Sequence, residues 1–533
     1  MQIPEEIRHK FSVLPPLYLL SDNNSIKLEL KSYLQPFEKE LAMRELHALI
    51  GYETPIEEVY GYYVAKTEKP YDFLRERLTY WQRVGRNILE PTVQKSLEFT
   101  QNGISKTRQK KELHNARRLR YGPHDLHEYR GKFFPQLVRS LINISGVKDD
   151  SFVLDPMCGS GTTPCEALAF GRSAIGADLN PLSVLITKVK SAIVLENSKT
   201  FFDTISKKLN SFKFKEFNPE HIWSKEDLTY LKLWFDYEAI SDISNILNAI
   251  SEIKNPLYQD FFRVCLSNII RSVSWQKATD LRVRKEIKPY NPGTAIHQFK
   301  EKAREQLDRI YPYLCVLPKS INQPTLAIRQ GNAVNIAKLF PEYRNKIDLL
   351  VTSPPYATAL PYLDTDRLSL IVLGLLPRKQ HKDIEMIMVG TREVTEHQRC
   401  KVWDYYLSRK SELPSCISAL INKIADHNHK ETVGFRRRNL PALLGKYFLD
   451  MLDAMRSSHT LMISGAHGYY VVGNNSTMID NQKIEIPTDE FIFELGIAAG
   501  WHPIERIQME LLVSRDIFRE NRGSSETILC FRA

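Results

Sequence analysis

Two short apolar runs, each ending in an acid and a turn, constrain this chain most. SFVLDPMCGSGTT (151–163) reads as a strand running into a glycine loop, and RSAIGADLNPLS (172–183) repeats the strand-into-turn pattern. Between them PCEALAFG (164–171) reads as a helix, with Pro164 suited to its first turn and Gly171 to its C-terminal cap. Strand, helix, strand at this spacing is a βαβ unit, which implies a parallel sheet. The alternation is interrupted over 195–325, a long, polar, largely helical stretch. It resumes at TLAIRQGNA (325–333) and KIDLLVTSPPY (346–356). A helical, basic stretch covers about 360–455. GYYVVGNNS, a helical EFIFELGIAAG and a strand pair around IERIQMELLVS and ETILCFRA close the chain.

The organisation expected is therefore an α/β sheet split by a helical insertion. Residues 1–115 form a helical N-terminal region, because Phe73, Leu74, Leu78, Trp81 and Val84 recur at helical spacing. Residues 116–194 are the first part of the sheet domain, 195–325 the insertion, and 326–533 the second part. A polar stretch from about 100 to 125, closed by Gly122-Pro123, reads as a basic linker. No internal repeat is evident.

The glycine loop holds Asp155, Pro156, Cys158, Gly159, Ser160, Gly161 and Thr162. Gly159 and Gly161 let backbone approach a ligand without a Cβ in the way. A dinucleotide loop needs a third glycine where Pro164 stands, and no Gly-Lys-Ser/Thr follows, so a phosphate cradle is disfavoured. Asp178 ends the second strand, where acids accept hydrogen bonds from ribose hydroxyls. A ribose-bearing cofactor without pyrophosphate fits this pair of loops. The competing reading has Asp178 cap the next helix together with Asn180.

Net charge is +10, with pI near 9.0. The excess sits in three places: net +7 over 101–140, net +6 over 261–311, and eight bases against four acids over 401–438. Three such clusters favour a polyanion partner. Arg271, Lys277, Arg282, Arg284 and Lys285, beside Trp275 and Tyr290, form one candidate nucleic-acid contact, and Arg436, Arg437 and Arg438 another. The seven cysteines are scattered and never form a CxxC pair, which argues against a disulfide framework or a zinc site. With no apolar run long enough for a bilayer and no basic-then-apolar start, a cytoplasmic location is expected.

Asp155, Gly159, Gly161 and Asp178 together resemble the cofactor site of S-adenosylmethionine-dependent methyltransferases. TSPPY (352–356) resembles the catalytic motif of DNA methyltransferases acting on exocyclic amines, which make N4-methylcytosine or N6-methyladenine. HEYRGKFFPQL (127–137), with Phe133 and Phe134, resembles that family's segment against the cofactor's methionine moiety. Gln330-Gly331-Asn332-Ala333 resembles the turn that touches its adenine, although many members have Asp where Asn332 stands. The resemblance covers about 124–190 and 325–533. It implies a seven-stranded, mostly parallel Rossmann-like methyltransferase sheet and S-adenosyl-L-methionine as cofactor. It also implies binding by Asp155, Pro156, Cys158, Gly159, Ser160, Gly161, Thr162, Asp178, Asn180 and Asn332, with no metal. The partner implied is double-stranded DNA, with a cognate restriction endonuclease alongside.

TSPPY also has a rationale in its own chemistry. An exocyclic amine is a weak nucleophile because its lone pair is delocalised into the ring. The Ser353 hydroxyl and the Pro354 carbonyl can accept hydrogen bonds from both N–H groups and aim that lone pair. Pro354 and Pro355 stiffen the corner, and Tyr356 offers a flat face to an extruded base. Ser353, after Thr352, leans toward cytosine N4, since adenine-specific members more often carry Asp or Asn there. The alternatives are adenine N6 and an RNA guanine N2 enzyme. The placement of the insertion before the QGNA turn leaves open which segment reads DNA sequence.

Overall fold

The computed structural model describes residues 25–99, 119–129, 133–277, 284–318, 323–357, 362–391, 394–430, 433–479, 482–509 and 526–533. Its centre is a seven-stranded sheet in the order β13-β14-β10-β9-β6-β7-β8. These strands are β6 (Phe152–Asp155), β7 (Ser173–Asp178), β8 (Leu326–Gln330), β9 (Ile347–Thr352), β10 (Met462–Gly473), β13 (His502–Met509) and β14 (Glu526–Arg532). β8, β7, β6, β9 and β10 run parallel, while β14 lies antiparallel between β10 and β13. This is the mostly parallel Rossmann-like methyltransferase sheet that the sequence leads one to expect. A hairpin of β11 (Asn475–Ile479) and β12 (Gln482–Ile486) stands beside it.

The strands are near-continuous apolar runs because helices cover both faces. Val153, Leu349, Val351 and Ile528 face one core, and Leu154, Ile175, Leu350 and Leu529 face the other. All five parallel strands end at one edge, and the chain reverses its direction of travel across the sheet between β6 and β9. Ligands of open α/β sheets bind at such a switch point.

Between β7 and β8 stand the helices Ser198–Ser211, Lys225–Leu231, Tyr237–Ser251, Pro256–Val273 and Thr294–Val316, a helical segment over the stretch read from sequence as an insertion. Phe201, Phe261, Phe262 and Phe299 pack their rings together inside it. It is anchored to the sheet domain by Trp223, whose indole donates to the Val372 carbonyl at 3.1 Å. Among the described residues, no helix is long and apolar enough to cross a membrane.

The N-terminal region departs from expectation. Residues 25–99 form a five-stranded antiparallel sheet, order β2-β3-β1-β4-β5, with three helices. Its strands are β1 (Ser25–Leu30), β2 (Ile56–Val59), β3 (Tyr62–Lys66), β4 (Trp81–Gly85) and β5 (Glu90–Pro91). The helix that begins at Tyr71 stops at Arg77, and Trp81 and Val84 lie in β4, both fully buried. The β1–β4 register slips at a bulge, so that Val84 pairs with Leu28 and Trp81 with Leu30, and the apolar spacing becomes three in place of the strand period of two and imitates a helix. The Trp81 indole donates to the Ala42 carbonyl at 3.2 Å, which locks the strand onto the helix Pro36–Ile50. That helix also joins the large sheet, through Arg44 and Glu505 of β13 at 3.0 Å. The basic linker at 100–118 lies outside the described residues.

A buried ion cluster supports the helix after the glycine loop. Glu166 accepts from Arg139 Nε at 2.8 Å and meets His124 Nε2 at 2.6 Å, and all three are buried. Burial alone would raise this carboxyl, but Arg139 and His124 hold it below its ordinary 4.5. Its contribution to stability is therefore present above that value and lost as pH falls. Glu166→Ala leaves Arg139 buried and unpaired, so urea unfolding at pH 7 should show a loss of about 3–5 kcal/mol.

Candidate active site

β6 delivers Asp155 to the carboxyl edge, and the chain then turns through residues 156–161. Gly159 (φ +50°) and Gly161 (φ +75°) adopt left-handed backbone. A Cβ on Gly161 would lie 2.8 Å from Thr187, and one on Gly159 would lie 3.1 Å from the Tyr129 ring. The loop is thus pressed between the helix Pro181–Ile193 and Tyr129, and only glycine fits both places. Lys190, buried in the same helix, donates to the Ser160 carbonyl at 3.2 Å.

β7 ends beside this loop. Asp178 Oδ2 accepts from the Gly159 N–H and Oδ1 from the Asn180 N–H, each at 2.8 Å. Capping of the next helix is done by Asn180, whose Oδ1 accepts from Leu182 N at 3.0 Å. Its Nδ2 donates to Asp366 at 2.9 Å. Asp178 therefore ties the second loop to the first and keeps one side open to the cleft.

The TSPPY corner leaves β9 next door. Thr352 is buried and its hydroxyl donates to Asp155 Oδ1 at 2.7 Å, so the two loops are joined beneath the cleft floor. Ser353 is half-buried, and among the described residues its hydroxyl has no hydrogen-bond partner. Tyr356 donates its hydroxyl to Glu526, the first residue of β14.

Between the loops lies an open cleft of about 1090 Å³. Of the residues singled out from sequence, Phe133, Pro156, Cys158, Gly159, Ser160, Thr162, Asp178, Asn180, Asn332 and Ser353–Tyr356 line it. Tyr129, Met157, Leu179, Gly331, Ala333, Met388, Val389 and Glu526 complete the wall. Asn332 faces it while donating to the Ile387 carbonyl at 2.7 Å. Three residues expected at the cofactor stand back from the surface. Asp155 and Gly161 lie under the loop, and Phe134 begins the helix Pro135–Ile144.

The basic candidates fall on separate elements. Arg271 borders a second cavity of about 700 Å³, which shares Tyr129 with the cleft. Lys277 and Arg284 pair through their backbones at 2.8 Å, and the Lys285 ammonium sits 4.9 Å over Trp275. Arg282 lies outside the described residues. Tyr290 is a packing residue: its hydroxyl donates to Asp242 at 2.6 Å and accepts from Ala295 N at 2.7 Å. Arg436, Arg437 and Arg438 are exposed on the first turn of the helix Phe435–His459. Nearby, Arg399, Trp403, His429 and Arg438 line another cavity of about 1140 Å³.

Comparison with known proteins agrees with this geometry. Residues 126–217 match the family described as an RMKL-like methyltransferase domain. The chain is 26% identical over 386 residues to a protein from Kocuria varians named Type II methyltransferase M.MvaI, covering 70% of this chain and 80% of that one. It is 23% identical over 319 residues to Type II methyltransferase M.BsoBI of Geobacillus stearothermophilus, covering 54% and 59%. A shorter match, 42% over 52 residues, is to a tRNA (guanine(10)-N2)-dimethyltransferase of Methanothermobacter thermautotrophicus, covering 10% and 16%. S-adenosylmethionine is the methyl donor.

The residues present fit that donor. Asp155 Oδ2 and Ser160 Oγ are buried at the loop and have no hydrogen-bond partner among the described residues. Gly159 clears the backbone approach, and Asp178 stands where a ribose acceptor is needed. Burial pushes the Asp155 carboxyl up from 3.8 to about 7, against the hydrogen bond from Thr352, and pushes Asp178 up to about 6. A carboxyl raised in the folded state stabilises the protein most when protonated, and that stability is lost as pH rises through the folded value. In the cofactor-free protein, Asp155→Asn keeps an acceptor for Thr352 and removes the desolvated charge. Its stability gain over wild type should grow between pH 5 and pH 8, on the order of a few kcal/mol. Thermal melts across that range measure it; a gain independent of pH would contradict the assignment.

Proposed function

We propose that this chain methylates the exocyclic amine of a base turned out of double-stranded DNA, with cytosine N4 as the target. In this reading it is the modification partner of a restriction endonuclease. The observation that carries the reading is the Ser353 hydroxyl, partner-free among the described residues and facing the cleft from a strand end bonded to the cofactor loop. The cofactor supplies a methyl group made electrophilic by its sulfonium. Ser353 Oγ and the Pro354 carbonyl accept the two amine N–H groups and turn the nitrogen lone pair toward that methyl. The bound donor would supply this methyl by direct displacement, its sulfur leaving as a neutral thioether, and the amine would pass one proton to solvent. Tyr356 stacks on the extruded base and offsets part of the few kcal/mol spent in unstacking it.

Duplex DNA is favoured over RNA by the extent of likeness. M.MvaI and M.BsoBI align over more than half of this chain, whereas the tRNA enzyme aligns over 52 residues. The charge distribution agrees with a backbone contact near the cleft. Lys446 donates to the Met388 carbonyl in the cleft wall at 2.9 Å. Arg436 lies ten residues earlier on the same helix, about 15 Å away at a helical rise. Together with Arg437 and Arg438 it can reach phosphates a few base pairs from the target, and Arg271, Lys277, Arg282, Arg284 and Lys285 supply a second contact. Ser, rather than Asp or Asn, ahead of Pro-Pro-Tyr is what directs the reading to cytosine.

Purified protein with labelled S-adenosylmethionine should label duplex DNA in preference to tRNA. Ser353→Ala should lower kcat at least about a hundredfold, as the loss of a transition-state hydrogen-bonding group does elsewhere. Equal transfer by this variant would remove Ser353 from the reaction, and preferential labelling of tRNA would replace DNA with RNA as the substrate.

A further inference from the structure

Tyr356 is held more tightly than base stacking alone requires, and the hold comes from the far end of the chain. Gly473 ends β10 and Glu526 opens β14, and the sheet register pairs these two residues directly. The Tyr356 ring lies against Gly473, where a Cβ would sit 3.1 Å from Cζ. Its hydroxyl donates to the Glu526 carboxylate. Gly390 closes the other side of the corner, where a Cβ would lie 3.2 Å from Pro355 and 3.4 Å from the Tyr356 carbonyl. One sheet pair thus supplies both the space for the ring and the acceptor for its hydroxyl. Glu526 also lines the cleft.

We infer that Glu526 is a positioning residue: it fixes the Tyr356 ring as a preformed platform for the target base. This rests on the proposed function, in which a base stacks on Tyr356. A tyrosine at the rim of an open cleft has two side-chain torsions to settle, and each conformer other than the stacking one subtracts from productive binding. The carboxylate settles both before the base arrives. Its effect is transmitted only through the tyrosine hydroxyl, which distinguishes it from a group acting on the base itself.

A double-mutant cycle tests this. Glu526→Leu should lower kcat/KM for duplex DNA about tenfold while leaving S-adenosylmethionine affinity, measured by calorimetry, within twofold of wild type. Glu526→Gln, which still offers an acceptor, should recover most of the loss. In a Tyr356→Phe background, Glu526→Leu should cost less than a further twofold. Additive losses would overturn the inference and place Glu526 on the base directly. A Gln variant as impaired as Leu would overturn it in favour of a need for the charge. A readout independent of activity is the fluorine resonance of 3-fluorotyrosine placed at 356, which Glu526→Leu should shift or broaden in the cofactor-free protein. An unchanged resonance overturns the contact whatever the substrate proves to be. A shifted resonance with no DNA methylation by wild type would keep the contact and sink the proposed function and the platform role with it.

Discussion

One buried hydrogen bond, from the Thr352 hydroxyl to the Asp155 carboxylate, joins the two halves of the site. Its partners end neighbouring parallel strands, β6 and β9, whose register is set by Val153 opposite Leu349 and Leu154 opposite Leu350. Each strand end launches a loop into the cleft, one glycine-rich and one proline-rich. A shift of either strand by one residue would turn that strand's own side chain to the opposite face and break this bond. The proposed direct displacement needs the donor carbon and the acceptor nitrogen in contact and aligned, so in that reaction the relative placement of these loops would itself bear on the rate. Asp155 lies under the cofactor loop instead of lining the cleft, and it is suited to that task.

The same economy appears around the corner residues. Rigid scaffolding replaces flexible side chains at every point. Pro354 and Pro355 limit the backbone, Gly473 and Gly390 let neighbouring strands and loops press close, and Glu526 holds the ring. The buried Glu166, Arg139 and His124 cluster does the equivalent work under the helix that follows the glycine loop. A site built this way carries its order before substrate arrives, so that binding energy need not be spent in creating it.

Much of this was legible in the sequence because the βαβ rhythm and the two loop motifs are local. Asp155, Gly159, Asp178 and Ser353 each sit where a strand must end, and a strand end leaves a mark within a few residues. The helices between β7 and β8 were legible for the same reason, as a break in that rhythm. What could not be read was non-local. Trp81 and Val84 look helical in a short window, yet belong to a strand whose bulge against β1 sets them three apart. Glu526 meets Tyr356 across 170 positions, by a β10–β14 register that no local pattern encodes. Arg271 and Arg436 look alike as charge clusters, and only the fold places them on different elements.

The central claim is that the cleft between the glycine loop and the Ser-Pro-Pro-Tyr corner methylates an exocyclic amine of DNA. Enzymatic digestion of duplex DNA after reaction, with mass and chromatographic identification of the modified nucleoside, tests it most directly. The account predicts N4-methyldeoxycytidine. Methylation at carbon 5 of cytosine, or no modified nucleoside at all, would contradict it.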